Sequence, residues 1–307
     1  MRWFRMLALA PVLLLNANAY ADSTVLVGGA TGRQGNAVIE QLNERGYAVR
    51  CMTRKPEGKK AQRIRERCTE IVQGDYGDPV SLDAAMSGVD KVFFYSGFSM
   101  NELQEGKNVI AAAQKAGVQH VVYTSGAASE PGKGVAGSAK TEVELALVDS
   151  GVPFTVLRPV AFMENFDRQQ KRTLEKGIFD SRAPERIVVF ISIPDIGFFV
   201  GEAFDDPERW LNSSANIAAD LMTVEEYVDT YRRVTGANIA YTRLPLDEYL
   251  EMFPKPLRPL FRWYEETGYE SSASSLQTAI DRYPNLTGLE AYLRATGWAD
   301  IGADSVE

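Results

Sequence analysis

The chain has 307 residues, 45% of them hydrophobic and 24% charged, and a formal net charge of −8. This is ordinary globular composition, enough for one large α/β domain or two small ones. The acidic balance excludes a surface built for a nucleic-acid backbone, and the lone histidine, His120, excludes His-rich zinc sites and most Ser-His-Asp arrangements. No nucleic-acid partner and no metal are expected.

Residues 1–21 read as a secretory signal peptide. Arg2 and Arg5 give a positive start, Met6 to Leu15 an apolar stretch, and Ala17-Asn-Ala19 and Ala19-Tyr-Ala21 two A-x-A cleavage patterns. Removing the segment takes away two positive charges and leaves −10. The apolar run is too short to cross a bilayer and contains Pro11, so no membrane span is expected once it is gone. A working signal implies export to a periplasm or secretory lumen. A fortuitous extension or a misplaced start codon implies a cytoplasmic protein. Export sits in tension with the cofactor inferred below, because nicotinamide nucleotides are mainly intracellular and the segment has no twin arginine.

Thr24 to Val27 is a short β-branched apolar run that stops at glycines, and a helical pattern opens directly after them. Gly29, Gly32 and Gly35 stand three apart, with Thr31, Arg33 and Gln34 filling the same loop. In such a G-x-x-G-x-x-G turn the first glycine permits a tight strand-to-helix turn and the second lets backbone approach a pyrophosphate. The third lets helix pack closely on strand. The helix N-terminus then offers unpaired N–H groups to phosphate.

A helix is expected from Asn36 to Arg45, capped by Gly46, and a second strand from Tyr47 to Met52. Where a NAD-preferring site places a carboxylate on the ribose, the chain has Thr53-Arg54-Lys55. A carboxylate would repel a 2′-phosphate, whereas a guanidinium grips one with two hydrogen bonds. Arg54 therefore points to NADP(H), with Arg33 and Lys55 as helpers. Lys59, Lys60, Arg63, Arg65 and Arg67 continue the charge run as a solvated face. Cys51, in the second strand, and Cys68, before the third, are read as two isolated small core residues in preference to a disulfide. The third strand, Glu70 to Gln73, ends at Gly74-Asp75, where Asp75 either reaches the adenine or caps the next helix. A fourth strand (Val89 to Tyr95), a helix (Leu103 to Ala116) capped by Gly117 and a fifth strand (His120 to Thr124) follow, the last running into Ser125. Strand and helix alternate throughout, the pattern of a doubly wound parallel sheet. His120 starts its strand on the edge away from the cofactor and reads as structural.

These residues, together with Ser138-Ala-Lys140-Thr-Glu142, Gly151-Val-Pro-Phe-Thr-Val-Leu-Arg-Pro159, Phe162-Met-Glu-Asn-Phe166 and the closing Leu289-to-Trp298 stretch, resemble the NmrA-like family of atypical short-chain dehydrogenases/reductases. The resemblance runs from about Thr24 to Trp298. It implies a Rossmann fold over residues 22–161 that binds NADP(H), and a smaller mixed α+β part over 162–307 closing over the nicotinamide. Its members are quinone or carbonyl reductases, or cofactor-binding sensors and regulators without known turnover. In the wider superfamily a Tyr-x-x-x-Lys pair moves the proton. Lys140 matches the lysine and Ser125 the serine after the fifth strand, but the tyrosine position is Ala136. The resemblance places Pro159, Phe162 and Asn165 beside the nicotinamide, with Asn165 on the ring or the substrate. Lys140, Ser125 and Asn165 are thus the candidate catalytic residues.

Beyond residue 176 the chain alternates strand patches and turns up to Gly197. A helix from Phe198 to Phe204 is expected with Asp195 as its N-cap, and another from Thr223 to Val234 with a capping box, Thr223-Val-Glu-Glu226. A short helix is read from Leu244 to Phe253. The aromatic helical stretch Phe261-Arg-Trp-Tyr264 is of a kind that can wall a pocket but reads more readily as core. Tyr241, Tyr249 and Tyr264 are unranked replacements for the missing acid. Asn212-Ser-Ser214 and Asn285-Leu-Thr287 fit glycosylation sequons. The expected activity is hydride transfer from NADPH to a quinone-like or small carbonyl acceptor; the alternative is a non-catalytic NADP(H) sensor.

Overall fold

The structure, a computed structural model, describes residues 23–97 and 99–300. The signal-peptide segment expected at 1–21 lies outside the described residues. The first half runs β1 (Thr24–Val27), α1 (Arg33–Glu44), β2 (Ala48–Thr53), α2 (Lys59–Gln62), β3 (Glu70–Gln73), α3 (Pro79–Met86), β4 (Lys91–Tyr95), α4 (Glu102–Ala116), β5 (His120–Thr124), α5 (Ala139–Asp149) and β6 (Phe154–Pro159). The second half adds β7 (Ala161–Phe162), α6 (Gln170–Lys176), β8 (Ile178–Asp180), β9 (Ile187–Ile191), α7 (Ile193–Asp205), α8 (Pro207–Trp210), β10 (Ser213–Ile217), β11 (Asp220–Thr223), α9 (Val224–Thr235), β12 (Tyr241–Arg243), α10 (Leu246–Glu251), α11 (Arg258–Glu266), α12 (Ala273–Asp281) and α13 (Leu289–Ala295).

Seven strands form one parallel sheet in the order β10-β6-β5-β4-β1-β2-β3. Strand order reverses between β1 and β4, and a crevice opens there at the carboxyl ends of the strands, where open α/β sheets bind ligands. The inner strands β1, β4, β5 and β6 are largely buried on both faces, which is why they read as apolar runs without alternation, whereas the edge strands β3 and β10 are partly exposed. Two apolar layers cover the sheet. One joins α1, α7 and most of the second half; the other lies under α3, α4 and α5. Two smaller sheets, β11-β9-β7 and β12-β8, stand beyond the carboxyl edge.

Several local expectations shift. α1 starts at Arg33, because Gly32 is already extended and takes the N-cap position. α7 starts at Ile193, five residues before the expected Phe198, and its N-cap is Ser192. Asp195 sits in the first turn, donating its N–H to the Ser192 hydroxyl at 3.2 Å and accepting from that hydroxyl at 2.6 Å. Pro194 is no obstacle there, since the first helical turn has no N–H to lose. The helix expected from Leu244 to Phe253 is α10, shortened to Leu246–Glu251. The capping box at Thr223 and Glu226 forms in full. The cysteines are not separate: Cys51 and Cys68 form a disulfide with Cα atoms 5.9 Å apart. The expectation of two isolated small core residues is therefore corrected. The turn before β3 brings Cys68 back beside β2, a proximity that spacing alone does not reveal.

Candidate functional site

The glycine turn has the geometry its spacing requires. Gly29 adopts φ +63°, a conformation that favours glycine. Gly35 is packed so tightly on the Gly29 carbonyl that a Cβ would collide with it. The Asn36 side chain donates to the Ala30 carbonyl at 3.0 Å and the Gly32 carbonyl at 2.8 Å, which turns those oxygens inward. No side chain caps α1, so its first N–H groups stay available.

A groove of about 400 Å³ runs along this turn. Gly29, Thr31 and Gly32 line one side, with Arg54 and Asp75 beside them. Lys60, which the sequence reading left on a solvated face, lines the groove as well. Among the described residues neither Arg54 nor Lys60 has a carboxylate partner; the ion pair in this segment is Arg65 with Glu57. Asp75 does not cap α3. Asp78 does, while the Asp75 carboxylate accepts from the Gly77 N–H at 2.9 Å. Tyr95, at the end of β4, covers the turn and donates its hydroxyl to the Gly29 carbonyl at 3.2 Å. Arg33 is exposed at the start of α1, and the Gln34 side chain accepts from Thr124 at 2.8 Å.

Lys140 and Ser125 belong to two buried polar networks at the carboxyl edge of the sheet. The Lys140 amine donates to the Ser96 carbonyl at 2.8 Å, the Ser96 hydroxyl at 3.0 Å and Glu102 at 2.6 Å. Ser96 lies between Tyr95 and Gly97, both of which line the groove. Ser125 donates its hydroxyl to Glu144, which also receives Arg158 at 2.6 Å. Glu102 and Glu144 carry no signal in the sequence, where each is one acid among the polar residues of a helix; only the fold turns them inward.

Pro159 ends β6, fully enclosed. Beyond it Phe162 and Asn165 line a second space, a cavity of about 370 Å³. Its walls come from α6, β8, β9, α9, α10 and α11. Aromatic rings dominate them: Phe162, Phe166, Phe190, Tyr249, Phe261 and Tyr264 among others. The α11 aromatics were expected in the core; instead no residue of α11 is fully buried, and Phe261 and Tyr264 face the cavity. A buried ion pair lies in its wall, Arg182 holding Asp180 through Nε at 3.0 Å and Nη2 at 2.6 Å. Arg182 is desolvated, yet the adjacent Asp180 charge raises its pKa further. The three tyrosines now separate. The Tyr241 hydroxyl is engaged, donating to the Arg182 carbonyl at 2.6 Å, whereas Tyr249 and Tyr264 line the cavity. Burial pushes both phenols upward in pKa, so each remains a neutral hydrogen-bond donor.

A parallel doubly wound sheet with a bare glycine turn at its switch point defines a Rossmann-type dinucleotide-binding protein. The sequence model of the NmrA-like family matches residues 21–293, and the chain belongs to that family. It is 30% identical over 273 residues to the (4-alkanoyl-5-oxo-2,5-dihydrofuran-3-yl)methyl phosphate reductase of Streptomyces griseus, across 87% of this chain and 94% of that protein. It is 32% identical over 156 residues to quinone oxidoreductase 2 of Escherichia coli, half of this chain and 54% of that one. The fold matches the triphenylmethane reductase of Citrobacter solved with NADP(H), with a TM-score of 0.76 at 23% identity over 89% of this chain and 100% of that one. Among the described residues no helix is long and apolar enough to cross a membrane.

Proposed function

We propose that this protein is an NADP(H)-dependent oxidoreductase that passes a hydride to a quinone-like or small carbonyl acceptor. The observation that carries the reading is the groove: a bare glycine turn stands next to Arg54 and Lys60, two cations without acid partners among the described residues. Such a site suits a nucleotide bearing a pyrophosphate and one further phosphate. The bound nicotinamide would supply the hydride, and the remaining work falls to this chain. Gly29, Thr31, Gly32 and the start of α1 with Arg33, Gln34 and Gly35 would bind the pyrophosphate, Arg54 the 2′-phosphate, and Asp75 the adenine end. Lys140 and Ser125, each held by a buried glutamate, would brace the strand ends under the nicotinamide ribose.

The cavity beyond Pro159 supports a flat acceptor, because its walls are largely aromatic. Phe162 and Asn165 would set the acceptor against the ring, and Tyr249 or Tyr264 would donate a hydrogen bond to its oxygen. Ala136 removes the usual acid. A quinone tolerates that loss, since its reduced oxygens take protons from water, whereas a simple ketone forms an alkoxide too basic to leave unprotonated. The quinone oxidoreductase among the relatives supports the same choice.

Ala136 also supports the second reading, a cofactor-binding sensor without turnover. Steady NADPH oxidation against a panel of quinones and carbonyls separates the two. Turnover is expected with quinones first. Tight NADPH binding with no consumption across the panel would overturn the enzyme reading in favour of the sensor. Arg54→Ala is expected to weaken NADPH binding about tenfold while leaving NADH within about twofold, read by fluorescence titration.

A further inference from the structure

The chain's two cysteines are joined to each other, and their bridge brackets the whole β2–β3 connection. That connection holds seven cations against two acids, Glu57 and Glu66. Like charges at this density repel. The segment's other restraints are few: its regular structure is the four-residue α2 and one 3-10 turn, only Ala61 and Ile64 are buried, and Arg67 alone is tied to α1, donating to the Asn36 side chain at 2.7 Å while its carbonyl accepts from Asn43 at 2.9 Å. Yet this segment carries both Arg54 and Lys60 into the groove. Cys51 sits fully buried in β2, three residues before Arg54, so it is a fixed anchor.

We propose that the Cys51–Cys68 bridge is a positioning device for cofactor choice: it holds Arg54 and Lys60 together at the spacing one extra phosphate requires, so that opening it weakens NADPH and spares NADH. The inference rests on the NADP(H) reading of the groove. The pyrophosphate cradle, Gly29 and Gly32, belongs to the β1–α1 turn outside the bracketed segment, and both cofactors use it alike. Only the 2′-phosphate draws on the bracketed cations. With the bridge open, the basic segment spreads under its own repulsion, and a phosphate must draw the two cations back together before it gains both contacts. A ribose carrying a plain hydroxyl makes no such demand.

The bridge opens by thiol–disulfide exchange. A dithiothreitol thiolate attacks the partly exposed Cys68 sulfur and expels Cys51 as a thiolate. The second dithiothreitol thiol then displaces Cys68 and leaves as the cyclic disulfide, so the cystine gains two electrons and two protons. The experiment titrates NADPH and NADH, by fluorescence, into the oxidised protein, the dithiothreitol-treated protein and the Cys51→Ser/Cys68→Ser double variant. Thiol counts and far-UV spectra are recorded for each. The NADPH Kd is expected to rise about tenfold on opening, the NADH Kd about twofold at most, and reoxidation of the wild type to restore the preference. The dithiothreitol arm keeps the test intact if the double variant fails to fold. A strong NADPH preference that survives full reduction, or equal weakening of both cofactors, overturns the proposal. Oxidised protein that binds both cofactors equally overturns the groove reading itself, and this proposal with it.

Discussion

His120 shows how a single residue ties stability to pH. Its ring is 2% exposed, its Nε2 pairs with the Thr155 hydroxyl at 2.8 Å, and it meets Phe204 edge to face. Burial, helped by the nearby Lys91 charge, lowers its pKa to about 3. Between that value and 6.5 the unfolded chain binds a proton that the folded chain refuses. Stability therefore rises with pH through this window and is lost as pH falls. The loss attributable to His120 is expected to be on the order of 2–4 kcal/mol by pH 4, against pH 7. Urea unfolding at the two pH values checks it: a His120→Asn variant should show a smaller drop than the wild type, and equal drops would refute the assignment. Lys140 poses the opposite case, a buried charge that is paired. Glu102 is 6% exposed, so Lys140→Met strands its carboxylate and should destabilise the fold by about 3–5 kcal/mol. Adding Glu102→Leu should recover most of that in the same assay. The turn geometry of Gly29 and Gly35 was legible in the sequence because it follows from spacing along one short strand-to-helix connection. The partner of Lys140 was not, since Glu102 stands 38 residues away and only the packing of α4 on α5 brings it near.

At the scale of elements, the crossing of α1 and α7 joins the two halves of the chain. Gly197 packs against α1 so closely that a Cβ would lie 2.6 Å from the Ala37 carbonyl. Further along the same face Arg45 reaches across to Glu202 at 3.0 Å and to Asp205. A larger side chain at Gly197 must push the helices apart. Gly197→Val is expected to destabilise by about 1–3 kcal/mol, read as a lowered urea midpoint with the slope unchanged. Thr223→Ala, which removes only the cap of α9, should cost about 1 kcal/mol by the same measure. The first five strands were legible because each is short, lies between turn signals and, for the inner ones, leaves a continuous apolar signature; β10, Ser213–Ile217, carries none and was missed. The capping box was legible too, since its residues are all local. The start of α7 was misplaced because Ser192 and Asp195 both suit an N-cap, and no local rule chooses between them. The aromatic face of α11 was read as core because helical spacing tells which residues share a face but not whether packing or a cavity meets it.

For the whole molecule, the halves share the seven-stranded sheet and the larger of its two apolar layers. β10, from the second half, pairs with β6 along five residues and closes the sheet edge. The larger apolar cluster draws on both α1 and α9, so the elements beside the glycine turn and those that wall the aromatic cavity share one packed layer. The fold begins almost at once: Thr24 opens β1 and donates its N–H to Asp90 at 2.7 Å. Cleavage after Ala21 would leave this first strand whole. A structural bridge using both cysteines persists in oxidising compartments and is rare where glutathione keeps thiols reduced, so bridge and export can be tested together. If the segment 1–21 acts as a signal, the protein expressed with it attached is expected in the exported fraction, with Asp22 as its first residue by N-terminal sequencing and no thiol titratable under denaturing conditions. Replacing Leu13 and Leu14 by arginine should hold it inside with Met1 retained. There the unbridged Cys51 and Cys68 should both titrate, and the same protein should acquire the bridge on exposure to oxidised glutathione. A wild-type chain found in the cytoplasm with Met1 in place and two titratable thiols would refute export and bridge together.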